Sequence, residues 1–277
     1  MKLARCADTG GSYWALVEGD LGTVQRIEGE FADWAPALTR GVALPPLTGE
    51  TRSLSDIRLL APLPNGARVV AAGATYAKHI EGLGLQMPKA PSAFLKTAAS
   101  VIAPSDPIRY PGITEQLDYE GELVVVIGDD VDQACPMQSV LGYTIGNDVS
   151  ARDQQFSGGV TGMDMFSAKA LDGTSGVGPW IVTRDEFGEG HPDLELRTTV
   201  DGETRQHART GSMVWGTSEL VTYVDQRVHL QCGDVLFTGT CAGVGHEDGR
   251  YLEPGQVVTV SIERIGELVN TVGPRPR

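Results

Sequence analysis

Residues 123–127 form an unbroken aliphatic run closed by Gly128-Asp129-Asp130, the pattern expected of a buried strand. Elsewhere apolar positions alternate. Leu194, Leu196, Thr198 and Val200 share one side of residues 193–200, and Val258, Val260 and Ile262 alternate with Val257, Thr259 and Ser261. Residues 2–6 and 12–17 read as short strands joined by the turn Asp8-Thr9-Gly10-Gly11, and residues 68–72 and 141–146 as further strands. Helical periodicity is rarer. Val214, Thr217, Leu220, Val221, Val224 and Val228 share a broad face, which predicts a helix over about 213–230. Residues 136–141 predict a short helix with Pro136 at its start. Another opens at Phe31 and is limited by Pro36 or Pro45-Pro46. The pattern predicts β structure around a central core.

The turn-rich crossing at Pro62, Pro64 and Asn65-Gly66 divides the chain into a small N-terminal region, residues 1–64, and a main domain, residues 65–277. With 277 residues and 41% hydrophobic content, the chain can bury a substantial core. Its 35 glycines supply turns and disfavour a helical bundle, and no dinucleotide-binding glycine fingerprint joins a strand to a helix. The net charge of −14 argues against broad nonspecific binding to nucleic acid or to an anionic membrane. No apolar run reaches the roughly 18 residues of a membrane span, and the first residues do not read as a signal segment, so a cytoplasmic protein is expected. Cys6, Cys135, Cys232 and Cys241 form no CxxC pair and read as inert thiols.

Candidate chemistry concentrates at Asp118-Tyr119-Glu120-Gly121-Glu122, just before the aliphatic run. On one strand, Asp118, Glu120 and Glu122 project from the same face, and Gly121 leaves the opposite side unobstructed. Two adjacent same-face carboxylates can converge on a divalent cation; an alternating solvated face is the plainer alternative. Their hard oxygens suit magnesium, with manganese or calcium as alternatives. Without a cation, acids entering so apolar a run would raise one another's pKa values. Asp148 can complete an oxygen triad; Arg152 can meet a substrate carboxylate or anchor Asp153; Gln155 can bind a carbonyl oxygen. An Asx turn with a surface Arg152–Asp153 cluster reads the same segment equally well.

His79 can exchange protons near neutral pH, with Glu81 to orient it, or can be an ordinary hydrogen-bonded histidine. Lys169 follows a turn-rich stretch. Thr240 lies in Gly239-Thr240-Cys241-Ala242-Gly243-Val244-Gly245, a loop whose N–H groups can face an oxyanion or carboxylate. His246-Glu247-Asp248 reads as a solvated turn. Residues 81–100 read as pocket or lid, although Leu83, Leu85, Met87 and Phe94 could equally pack internally.

Taken in order, these segments resemble the fumarylacetoacetate hydrolase family. The marks are the Tyr76/His79 segment, Ser105-Asp106-Pro107-Ile108, residues 118–123, residues 147–153, Lys169, residues 233–240 and Gly243-Val244-Gly245. The resemblance implies an α+β, predominantly β fold, a mixed β-sandwich roll, and a homodimer. It implies that Glu120, Glu122 and Asp148 ligate a magnesium-like ion. Tyr76, Arg152, Gln155 and Thr240 would contact the substrate, and His79, Glu81 and Lys169 would serve the chemistry. Compact relatives carry an acid three residues after the histidine, where this chain has Gly82, with Glu81 one residue early. Cys241 replaces a common proline and reads as loop variation.

The activity implied is metal-dependent hydrolysis of a carbon–carbon bond in a small anionic oxo acid, a 2,4-dioxo acid or acylpyruvate. Isomerisation, decarboxylation or dehydration of a related oxo acid through an enolate is the alternative, and an inactive metabolite-binding protein is a third reading.

Overall fold

The aliphatic run becomes the inner part of the strand Gly121–Ile127, every residue of which is buried. The computed structural model describes residues 1–19, 22–82, 84, 86–159 and 162–276. Gly121–Ile127 pairs antiparallel with Val140–Asn147 on one side and with Val235–Phe237 on the other. Val235–Phe237 in turn runs parallel to Val69–Gly73. These strands belong to a 12-stranded mixed sheet, which faces a four-stranded sheet built from Glu195–Val200, Glu203–Arg209, Val257–Ile262 and Gly266–Thr271.

Alternation sends the two faces of Gly121–Ile127 into different cores. Leu123, Val125 and Ile127 pack with Leu196, Val260 and Ile262 of the smaller sheet. Val124 and Val126 pack with Trp14, Phe31 and Trp34 on the other side. A strand covered on both faces needs apolar residues at every position, which is why its sequence shows no alternation. The fold is mixed α+β, predominantly strand, a mixed β-sheet sandwich. The N-terminal hairpin, Lys2–Asp8 with Gly11–Glu18, joins the large sheet where Lys2 and Leu3 pair with Val182 and Ile181.

Three local expectations change, and a fourth is decided between its two alternatives. Residues 118–127 do not form one strand. Leu117–Asp118 pairs with Ser150–Ala151, and the chain leaves strand geometry at Tyr119 and Glu120 before Gly121. The helix expected over 213–230 is confined to Thr217–Asp225. The Val214 N–H is taken by the Thr75 carbonyl at 2.7 Å. At the other end, the Asp225 carboxylate accepts the Leu230 N–H at 2.9 Å, turning the chain away although Val228 keeps the apolar period. Residues 136–141 split into a 3₁₀ turn, Pro136–Ser139, and the start of a strand. The helix Phe31–Thr39 continues through Pro36, held by the packing of Phe31, Trp34 and Ala35.

Gly121 does not face open space. A Cβ there would lie 2.2 Å from Thr198 Oγ1 and 3.0 Å from Val260 Cγ1 of the opposing sheet. The sheets meet closely enough that Gly121→Ala is expected to lose about 1–3 kcal/mol by overpacking. Urea denaturation at constant m-value would register this, and an unchanged midpoint would contradict it.

Candidate metal centre and active site

Asp118, Glu120 and Glu122 diverge where the strand breaks. Asp118 turns away from the other two. Its carboxylate accepts the N–H groups of Gly245 at 2.7 Å and His246 at 3.0 Å, and the Arg152 Nε–H at 2.7 Å. Glu120 and Glu122 meet Asp148 instead, and one oxygen from each lies within 4.8 Å of the others, all three residues being buried. Backbone hydrogen bonding fixes this meeting. The Asp148 N–H donates to the Glu120 carbonyl at 2.8 Å, and the Glu120 N–H donates to Asn147 Oδ1 at 3.0 Å. The Asx reading of Asn147 thus gives way to a clamp between two segments.

Three cations surround the acids. Arg152 is buried and donates to Asp118, to Glu120 Oε1 at 2.6 Å and to Gln155 Oε1 at 2.8 Å. It does not pair with Asp153, whose carboxylate accepts from Thr114 and from the Glu115 N–H. Lys169 donates to Glu120 Oε2 at 2.6 Å and to Asp148 Oδ2 at 2.8 Å. Lys96, which sequence reasoning missed, donates to Asp148 Oδ1 and to the Lys169 carbonyl. Its signal was faint: a lysine ending the otherwise apolar Ala93-Phe94-Leu95.

The two lysines shift in opposite directions. Burial pushes both ammonium groups down. At Lys169 the attraction of Asp148 and Glu120 outweighs burial and raises the pKa. At Lys96 burial prevails over Asp148, with repulsion from Lys169 adding to it.

The acids differ too. Burial opposes ionisation of Glu120, but Lys169 and Arg152 overcome it and hold the carboxyl down at about 2. Glu122 accepts the Gly239 N–H at 2.7 Å. Among the described residues no cationic side chain forms an ion pair with it. Burial first, then the charges of Asp148 and Glu120, raise its pKa well above the ordinary value. A buried carboxyl that lacks a countercharge, beside two more oxygen donors, is what a hard divalent cation satisfies. The donor set therefore fits magnesium or manganese.

A cavity of about 710 Å³ opens over the triad. His79, Gln155, Lys169, Thr240, His246 and Glu247 contribute polar groups to its wall, and Phe94, Phe156, Met163 and Met165 contribute apolar ones. The loop expected to receive an oxyanion instead aims its N–H groups at the protein's own acids: Gly239 at Glu122, Gly243 at Glu247 and Gly245 at Asp118. Thr240 donates to the Gly121 carbonyl at 3.0 Å and accepts from Gln206 at 2.8 Å. Burial pushes the Cys241 thiol up to about 12, a poor setting for a nucleophile.

Three expectations about this wall are corrected. The acid beside His79 is Glu247, whose Oε1 lies 2.9 Å from His79 Nδ1, while Glu81 is exposed and outside the cavity. Residues i and i+2 of a helix do not face each other, so Glu81 on Ala77–Gly82 is turned away from His79. The segment read as a solvated turn is the short helix Gly245–Asp248 at the cavity, where His246 stacks on Phe156 with ring centroids 4.8 Å apart. Tyr76 is buried in the core between the sheets and does not line the cavity. Of the apolar candidates in residues 81–100, Phe94 lines the cavity and Met87 is exposed, whereas Leu83 and Leu85 lie outside the described residues.

A β-sandwich carrying three convergent buried carboxylates beneath a cleft of mixed polar and apolar lining has the architecture of a metal-assisted enzyme. The family description "Fumarylacetoacetate (FAA) hydrolase C-terminal" matches residues 68–273, and "Rv2993c-like, N-terminal" matches residues 1–62. The chain belongs to the fumarylacetoacetate hydrolase family. It is 41% identical over 275 residues to Protein Rv2993c of Mycobacterium tuberculosis, covering 98% of each chain. It is 36% identical over 225 residues to the mitochondrial oxaloacetate tautomerase fahd2 of Xenopus laevis, covering 79% of this chain and 70% of that one. The crystal structure of 2-hydroxyhepta-2,4-diene-1,7-dioate isomerase from Mycobacterium marinum superposes with a TM-score of 0.82 at 38% identity, covering 100% of both chains. Family and triad together support a metal-dependent active site acting on a small oxo acid. Among the described residues no helix is long and apolar enough to cross a membrane.

Proposed function

We propose that this chain is a divalent-metal-dependent isomerase or tautomerase of a small anionic 2-oxo acid. The observation that carries the reading is the opposition, across one cavity, of the Glu120/Glu122/Asp148 triad and the His79–Glu247 pair. The names of the tautomerase and isomerase relatives support it over carbon–carbon hydrolysis. A magnesium or manganese ion held by Glu120, Glu122 and Asp148 would supply positive charge that favours an enolate over its ketone.

The chain's own groups do the rest. The Glu247 carboxylate accepts from Nδ1, so the neutral ring carries its proton there and leaves Nε2 free to act as base. His79 takes a proton from the carbon beside the oxo group and returns it to the enolate oxygen or to a carbon further along. No water is consumed. Gln155, held by Arg152, orients the substrate oxygens, Thr240 is fixed in the wall by Gly121 and Gln206, and Lys169 stabilises developing negative charge. Phe94 and Phe156 exclude water from the carbon skeleton.

One observation favours hydrolysis as a second reading: the same histidine pair can deprotonate a water for attack on a distal keto carbon. Mixing the protein and magnesium with freshly dissolved enol-form oxo acids, in water enriched in oxygen-18, separates the two. Faster decay of the enol absorbance with unchanged product mass supports tautomerisation. New carboxylate carrying oxygen-18, with pyruvate released, would replace it with hydrolysis. The homodimer implied by the family resemblance is part of the proposal, and light scattering of the purified protein tests it.

A further inference from the structure

The helix Ala77–Gly82 places His79 and position 82 three residues apart, on one face. A side chain at 82 would therefore be the local neighbour of the imidazole, and here there is none. The space is not empty. A Cβ built on Gly82 would lie 3.3 Å from Glu247 Oε1 and 3.4 Å from its Cδ, so the Glu247 carboxyl occupies the volume next to that position. Its Oε1 meets His79 Nδ1 at 2.9 Å, and its Oε2 accepts the Gly243 N–H at 2.8 Å. Partial burial opposes ionisation of Glu247, but the hydrogen bonds from His79 and Gly243 outweigh it and keep the carboxyl below its ordinary value.

We propose that Glu247 is the positioning residue for His79, supplied by the short helix Gly245–Asp248 that follows the glycine-rich loop, and that Gly82 is the gap that admits it. Helix and loop are thereby coupled. The acid that fixes the ring also takes a Gly243 N–H, so it ties the histidine to the loop that holds Glu122 through Gly239 and Asp118 through Gly245. Position 82 and position 247 are then alternative origins for one carboxylate. Either can hold the ring, and both together crowd two like charges beside it.

The catalytic part rests on the isomerase reading; the arrangement of the ring does not, and the experiment separates them. Glu247→Ala, Glu247→Gln, Gly82→Glu and the exchange variant Gly82→Glu/Glu247→Ala would be prepared with nitrogen-15 histidine, the His79 signals being assigned from His79→Gln. In the starting protein the ring nitrogens should report a single tautomer with the proton on Nδ1. Glu247→Ala and Glu247→Gln should give a mixed tautomer population, and kcat should fall roughly 10- to 100-fold, the scale seen for outer-shell partners of active-site groups, with KM changed less. Gly82→Glu alone should also lower kcat. The exchange variant should restore the single tautomer and most of the lost kcat, a rescue that a merely structural role for Glu247 would not produce.

An exchange variant that folds, binds magnesium and yet resembles Glu247→Ala in both readouts would overturn the proposal. So would a Glu247→Gln protein with the original tautomer and kcat. If the starting protein turns over no oxo acid while the tautomer is lost in Glu247→Ala and regained in the exchange variant, the positioning role stands and the isomerase reading falls.

Discussion

Glu122→Ala is expected to abolish high-affinity magnesium binding and to lower turnover by roughly 10²–10³-fold, the loss typical of removing one group that stabilises transition-state charge. The reason is the division of labour among the acids. Glu120 is already neutralised by Lys169 and Arg152, and Asp148 by Lys96 and Lys169. Glu122 forms no ion pair with a described residue and is the acid whose negative charge a cation would newly satisfy. Isothermal titration with magnesium and steady-state kinetics would check it. Retained affinity in a folded Glu122→Ala protein would remove the triad from the metal site.

The same residue gives a pH dependence with a definite sign. The folded pKa of Glu122 is raised, so between the unfolded value and the folded one the native state binds more protons. Its contribution to stability is fully present below the unfolded value and is lost as pH rises through the folded one. Metal-free protein should therefore lose stability over that window, and Glu122→Gln should flatten this part of the curve. Magnesium binding should release protons there and tighten as pH rises. Denaturation midpoints across the pH range, with chelator and with magnesium, would show a steeper fall in the metal-free wild type; equal slopes would contradict the shifted Glu122.

His79→Gln is the second large effect. Loss of a general base typically costs 10²–10⁴-fold in rate, and that range is expected in kcat. Magnesium affinity should stay within about threefold, because no His79 atom belongs to the triad. The separation matters: a metal-ligand variant loses binding and turnover together, whereas the His79 variant should lose turnover alone. The check is kinetics at saturating magnesium together with titration of the same preparation. Unchanged kcat would move the proton transfer from His79 to another group.

Much of the fold was legible because it rests on local alternation. Leu196, Thr198 and Val200 are buried on one face of Glu195–Val200, and Val258, Val260 and Ile262 on one face of Val257–Ile262, as their spacing requires. The hairpin at Asp8 and Gly11 closes where its turn residues place it. Errors arose where a long-range hydrogen bond overruled a local pattern. Thr75 takes the Val214 N–H from a helix that periodicity would extend, and Asp225 ends that helix early. Ser150–Ala151 captures Leu117–Asp118 and so turns Asp118 away from its two neighbours.

The site divides along the same line. Glu120 and Glu122 stand out in the sequence because acids beside a wholly aliphatic strand are costly unless compensated, and the family resemblance joined Asp148 to them. Lys96 and Glu247 do not. Each reaches its partner across 52 and 168 residues respectively, and no spacing rule records such a distance. By itself the sequence determined the buried strand and the acids at its entrance, since these follow from side-chain period and charge. Only the tertiary structure decided which acid orients His79 and which lysines neutralise the triad, because packing two sheets together chooses among many polar groups that are equivalent in one dimension.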